Sequence, residues 1–211
     1  MRPYVKNKRR IKMKFFVNFL SSFRIAASFA IIGTLMSGMY ITTVILFLLA
    51  ALSDFFDGYL ARKYDACTKT GLVLDSIADK FLVITSFVLL CIMMPVWFIV
   101  IPIILMISRE LYISGLREFL GANKLVVSHP TSRFAPGKIK TFMQIIAILA
   151  FLCLFAIGAS VNNASNSKAI LYAIYALPNI GIFALWFALA TSIWSAVQYT
   201  SDFISKVKKI K

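Results

Sequence analysis

Six long apolar stretches, each close to the roughly 20 residues that carry an α-helix across a bilayer's hydrocarbon core, constrain this chain more than any other feature. They run over about 15–35, 40–60, 71–93, 96–118, 139–158 and 169–199. The last exceeds one span and is expected to tilt or to project from the membrane. The chain is 60% hydrophobic and only 15% charged, with a mean hydropathy of +0.84. A water-soluble domain of 211 residues needs many more charged side chains to cover its surface. The expectation is an all-α, polytopic membrane bundle of six transmembrane helices. No repeat, low-complexity linker or separately folding polar segment interrupts it. One membrane domain is therefore expected over 15–200, between a basic segment at 1–14 and a basic tail at 201–211. Pro95 and Pro178 fall near helix ends, or where neighbouring helices tolerate a kink.

The net charge of +15 is unevenly placed. Lys and Arg crowd the N-terminus, the turn carrying Arg62, Lys63 and Lys69, and the loop with Lys124, Arg133 and Lys138. They recur in the tail with Lys206, Lys208, Lys209 and Lys211. The alternate connections MSGMY, MMPVW and ASVNNASNSK carry almost none. This is the positive-inside pattern, which puts both termini in the cytoplasm, as an even number of spans permits. Basic residues confined to loops between apolar runs also argue against a nucleic-acid surface. The start, MRPYVKNKRRIKMK, resembles that of a signal peptide. Its apolar continuation is interrupted by Asn18 and Arg24 and lacks a small-residue cleavage site, so a retained cytoplasmic anchor is expected. Cys67, Cys91 and Cys153 have no CxxC spacing, and the single His129 sits in a polar loop, so neither disulfides nor a zinc site is suggested.

The chain holds eight acidic residues, and Asp54, Asp57, Asp75 and Asp79 fall where the second apolar stretch ends and the third begins. An ionised Asp at membrane depth costs a few kcal/mol, so a cluster of them needs compensation. Asp54 and Asp57 are three residues apart and Asp75 and Asp79 four apart, which puts each pair on one helical face. The short basic turn between them folds the faces together. Four carboxylates meeting there would repel without a cation, and oxygen ligands alone favour Mg²⁺ or Mn²⁺ over zinc. Gly58 and Ala61 leave room beside Asp54 and Asp57 for a bulky ligand, and Arg62 can present a guanidinium to phosphate. Capping of helix ends, or pairing with Arg62, Lys63 and Lys80 among headgroups, is the plainer reading of the aspartates. Two pairs at helical spacing across one turn fit a metal-assisted phosphate site better. Asp65, outside both faces, is assigned to solvation.

Read as a string, Asp54, Asp57, Gly58, Ala61, Arg62, Gly71, Asp75 and Asp79 match D-x2-D-G-x2-A-R-x8-G-x3-D-x3-D without a departure. This resembles the signature of the CDP-alcohol phosphatidyltransferase family. Asn18 to Arg24, NFLSSFR, is similar to the family's N-x-L-T-x-x-R segment on its first helix, with Ser21 in place of Thr. SRELYISGLRE (108–118) and GKIKTFMQ (137–144) resemble the branch that makes phosphatidylglycerophosphate, so the likeness covers about 18–144.

The resemblance implies transfer of a phosphatidyl group from CDP-diacylglycerol to a small alcohol, at a cytoplasmic-side site using two divalent ions. Asp54 and Asp75 would touch both ions, Asp57 one and Asp79 the other, and Asp79 would take the acceptor's hydroxyl proton. It further implies CDP-diacylglycerol contacts at Asn18, Ser21, Gly58, Ala61, Arg62, Thr68 and Gly71, homodimerisation, and a bacterial cytoplasmic membrane or a mitochondrial inner one. Glycerol 3-phosphate, an anionic acceptor, would need a second basic site, for which Arg109, Arg117, Lys138 and Lys140 are available. Arg109 lies in an apolar run, where an ion pair with Glu110 or an aspartate is the structural alternative. Snorkelling toward headgroups is the alternative for Lys138 and Lys140. Relatives using phosphatidylglycerol, inositol phosphate or serine share the donor motif, so only the acceptor pocket separates them. A cation transporter would instead spread polar groups through the membrane depth, whereas here they gather at one end.

Overall fold

The structure is a computed structural model that describes residues 2–64, 69–122, 136–161 and 168–207. Within those ranges the side chains at 2–15, 17, 55–64, 69, 70, 72, 122, 136–138, 161 and 206 lie outside the description. His129, Cys67, Asp65 and Thr68 fall outside the described residues altogether.

Six helices make up the described chain: α1 (Arg2–Met36), α2 (Tyr40–Tyr64), α3 (Lys69–Met93), α4 (Trp97–Ala122), α5 (Pro136–Val161) and α6 (Lys168–Val207). Five of them carry an apolar run long enough to cross a membrane, over Asn18–Met36, Val73–Met93, Trp97–Gly121, Ile139–Ser160 and Lys168–Ser205. In α2 the apolar part, Tyr40–Asp54, is shorter. The protein is an all-α, multi-pass membrane protein. Its helices differ most from the sequence expectation at the N-terminus, where α1 begins at Arg2 and the basic segment continues the first span. Lys and Arg are good helix formers, and Pro3 in the first turn removes an N–H that has no helical partner there. Pro136 opens α5 in the same way. Pro102 and Pro178 sit inside α4 and α6, as membrane helices tolerate.

Surface polarity is inverted relative to a soluble fold. Phe19, Trp97, Leu111, Tyr172 and Phe183 are all more than 60% exposed, the arrangement expected where hydrocarbon is the solvent. Polar side chains such as Arg24, Ser28, Thr43, Lys140, Gln144 and Ser192 are buried instead.

The chain divides into two units. The first comprises Met1–Leu89 and Phe151–Tyr175. Here α1 buries Leu20, Ala27, Ile31 and Leu35, α2 buries Phe47 and Ala50, and α3 buries Ala78, Leu82, Phe87 and Leu89. The spacings of three, four and seven are those of one helical face. The Thr43 hydroxyl donates to Thr34 Oγ1 at 2.9 Å, joining α2 to α1, and the rings of Phe29 and Phe81 meet at 5.2 Å between α1 and α3. α1 closes with Gly38 in the left-handed region (φ 73°). Met39 N donates to Thr34 O at 2.8 Å and Gly38 N to Leu35 O at 3.1 Å, a Schellman pair that satisfies the last carbonyls.

The second unit comprises Leu90–Ala150 and Ala176–Lys211. Ile99, Ile103, Met106, Ile113 and Leu120 form the buried face of α4, with Ala147 and Ile148 from α5 and Ala184, Leu185, Ala188 and Leu189 from α6. Trp186 Nε1 donates to Phe98 O at 3.1 Å, and the Tyr112 and Thr200 hydroxyls lie 3.2 Å apart. Val96 N donates to Met94 O at 2.8 Å, turning the chain across Pro95 between α3 and α4.

Candidate active site

The buried faces of the first unit's helices end in charge. On α2 the row Thr43, Phe47, Ala50 continues to Asp54, and on α3 the row from Leu82 through Ala78 runs back to Asp79, Asp75 and the buried Gly71. Helical periodicity alone therefore aims three carboxylates at the interior. Carboxylate oxygens of Asp54, Asp75 and Asp79 lie within 4.8 Å of one another.

On α1 the row Leu20, Ser21, Arg24, Ala27, Ser28 supplies their partner. The Arg24 side chain is 0% exposed, and it donates through Nη1 to Asp54 Oδ1 at 2.7 Å. Its other contacts are Nη2 with Asp75 Oδ1 and Nη1 with Asp79 Oδ1. The acids are far more open, with side chains of Asp54, Asp75 and Asp79 that are 40%, 34% and 44% exposed. A fully enclosed guanidinium thus pairs with three partly exposed carboxylates.

Three carboxylates against one guanidinium carry a formal charge of −2, which one divalent cation would balance. With only oxygen donors, partly open and within 4.8 Å, the residues fit Mg²⁺ or Mn²⁺. Asp57 follows Asp54 on α2, with its side chain outside the described residues, as are those of Gly58, Ala61 and Arg62. Ser21 is buried one turn before Arg24 on the same face of α1, and Asn18 is half-buried a turn earlier.

Arg24 is the residue whose role sequence reasoning missed, although it stood in the quoted motif. A single Arg in an apolar helix, flanked by Ser21 and Ser28 at helical spacing, was the available signal.

The family model for CDP-alcohol phosphatidyltransferase matches residues 15–194. The chain belongs to the CDP-alcohol phosphatidyltransferase family. A CDP-diacylglycerol–glycerol-3-phosphate 3-phosphatidyltransferase of Rickettsia bellii is 38% identical over 185 residues, covering 86% of this chain and 91% of that protein. Proteins of the same name from Haemophilus influenzae and Blochmanniella floridana are 36% and 32% identical over 167 and 155 residues. They cover 77% and 74% of this chain, and 77% and 71% of their own lengths. In this phosphatidyltransferase the acidic cluster seen among the described residues contains three of the four aspartates of the signature, Asp57 having its side chain outside the description.

The basic residues expected to meet an acceptor belong to the second unit. Arg109 Nε donates to Ser192 O at 3.1 Å and Nη2 to Ser195 Oγ at 2.9 Å, fastening α4 to α6. Its Nη1 lies 3.3 Å from Glu110 Oε1, which also pairs with Lys140 from α5. The ion-pair alternative for Arg109 is thus present, and Lys140 is buried in a pair rather than extended toward headgroups. Arg117 donates to Tyr199 Oη at 2.9 Å, with its guanidinium carbon 4.9 Å from the ring centroid. The Lys138 side chain lies outside the described residues. Ser192, Ser195 and Tyr199, all on α6, were not legible as partners from the α4 and α5 segments alone.

Proposed function

We propose that this protein transfers the phosphatidyl group of CDP-diacylglycerol to sn-glycerol 3-phosphate, giving phosphatidylglycerophosphate and CMP. The observation that carries the reading is the convergence of Asp54, Asp75 and Asp79, three motif residues, within 4.8 Å at the open end of buried helical rows. Names shared by relatives at 32–39% identity supply the acceptor.

Asp54, Asp57, Asp75 and Asp79 would hold two divalent ions, Mg²⁺ or Mn²⁺. When bound, these supply Lewis-acid polarisation of the pyrophosphate and compensation for charge on departing CMP. The chain's own groups do the rest. Asn18, Ser21, Gly58, Ala61, Arg62, Thr68 and Gly71 would bind and orient the nucleotide end of the donor, with its acyl tails left in lipid. Asp79 accepts the proton of the acceptor hydroxyl as its oxygen attacks the donor's β-phosphorus, and the bond to CMP breaks. Arg109, Arg117, Lys138 and Lys140 would meet the acceptor's phosphate, and the partners Glu110, Ser195 and Tyr199 hold three of those cations in place meanwhile. The protein acts as a homodimer in a bacterial inner membrane, with both termini in the cytoplasm.

CMP release by purified protein in detergent, with CDP-diacylglycerol and Mg²⁺, tests the reading. Glycerol 3-phosphate, phosphatidylglycerol, inositol phosphate and serine are offered in turn. Turnover with glycerol 3-phosphate alone is expected; turnover with another acceptor overturns the substrate, and none with any overturns the reaction.

A further inference from the structure

Arg24 has no role in the chemistry above, yet among the described residues of the first unit it is the most deeply buried charge, and it touches all three carboxylates. Each contact uses the Oδ1 of its aspartate, in a cluster whose carboxylates come within 4.8 Å of one another, so the guanidinium engages the acids that would hold a metal. Three like charges at that separation, on helices in a low-dielectric surround, drive the helices apart unless a cation lies among them. Arg is suited to the task, because its planar fork reaches several oxygens at once and cannot lose its proton.

From this geometry we infer that Arg24 is the site's built-in counter-cation. It holds Asp54, Asp75 and Asp79 assembled before any metal arrives, and the divalent ion binds in competition with the guanidinium for these carboxylates. The inference rests on the metal-site reading proposed above. It makes Arg24 a positioning residue: the protein reaches its fold without metal, and its metal affinity is lowered by the arginine that makes this possible. A purely packing role predicts the opposite sign, since loosening the cluster would weaken metal binding.

The test is Mn²⁺ binding to full-length protein in detergent, followed by titration calorimetry or by loss of the free-ion electron paramagnetic resonance signal, alongside thermal unfolding with and without Mg²⁺. Arg24→Met removes the competing charge at similar volume. It is expected to bind Mn²⁺ about tenfold more tightly than wild type or better. Its melting temperature without metal should fall, and saturating Mg²⁺ should recover more of that loss than it adds to wild type. Affinity equal to wild type or weaker overturns the inference. Where Arg24→Met does not fold, Arg24→Lys decides: its shorter side chain and compact ammonium hold three carboxylates less well than the planar guanidinium fork, so affinity should still exceed wild type, and equal or weaker binding overturns the inference. Wild-type protein that binds no Mn²⁺ sinks the metal-site reading together with this one, whereas tight wild-type binding with unchanged variants sinks this one alone.

Discussion

Each of the two units contains a buried charge network, and the two differ in balance and openness. In the first, three aspartates surround one arginine, and the acids are 34–44% exposed while the arginine is fully enclosed. In the second, Arg109 and Lys140 share Glu110, and the side chains are only 11%, 7% and 21% exposed. Hydrogen bonds from Arg109 to Ser192 O and Ser195 Oγ complete the second network with uncharged partners. A partly open network in which, among the described residues, three acids meet one arginine is arranged to take up a cation. One closed off by backbone and hydroxyl groups is arranged to hold helices together, and it yields to a ligand only by exchanging partners.

The sharpest way to break this contrast is to neutralise one of the partly exposed acids. Asp79→Asn should lower kcat by about a thousandfold or more while CDP-diacylglycerol binding remains measurable, as expected for loss of a proton acceptor. Turnover near the wild-type rate would remove Asp79 from that role. In the closed network, Glu110→Gln should cost stability before activity, about 3 kcal/mol, because it leaves Lys140 and Arg109 without their shared carboxylate. Thermal unfolding in detergent measures it, and an unchanged melting temperature would mean the network is not a clamp. Arg109→Ala bears on whether the same network also meets substrate. The Michaelis constant for glycerol 3-phosphate should rise about tenfold, and by more than that for CDP-diacylglycerol; an equal rise in both would leave Arg109 a structural role alone. The smallest effect is expected from an uncharged link in the first unit. Thr43→Val removes the hydroxyl bond to Thr34 and should cost about 0.6 kcal/mol, typical of an interhelical hydrogen bond in a membrane.

Much of the site was legible because helical periodicity is a local property. The spacing of Asp75 and Asp79 gave their shared face, and the short turn between α2 and α3 gave their meeting with Asp54, while the side chain of Asp57 lies outside the described residues. The cation among them was not legible, because Arg24 lies 30 residues before Asp54 and 51 before Asp75. Periodicity gives the face a residue lies on and says nothing of which face it meets. The same limit applies to Arg109, whose partners on α6 are 83 and 86 residues away. Glu110, its immediate neighbour, was the one partner the sequence offered.

By itself the sequence determined that the chain crosses a membrane as helices, since about 20 apolar residues in a row leave backbone polar groups no other way to be satisfied in hydrocarbon. It also determined the family, because eight residues at fixed spacing reproduce its signature. Only the tertiary structure decided which charges neutralise which: Arg24 with Asp54, Asp75 and Asp79, and Arg109 and Lys140 with Glu110. Such pairing depends on distances of a few ångströms between helices remote in sequence, and those distances exist only once the helices have packed.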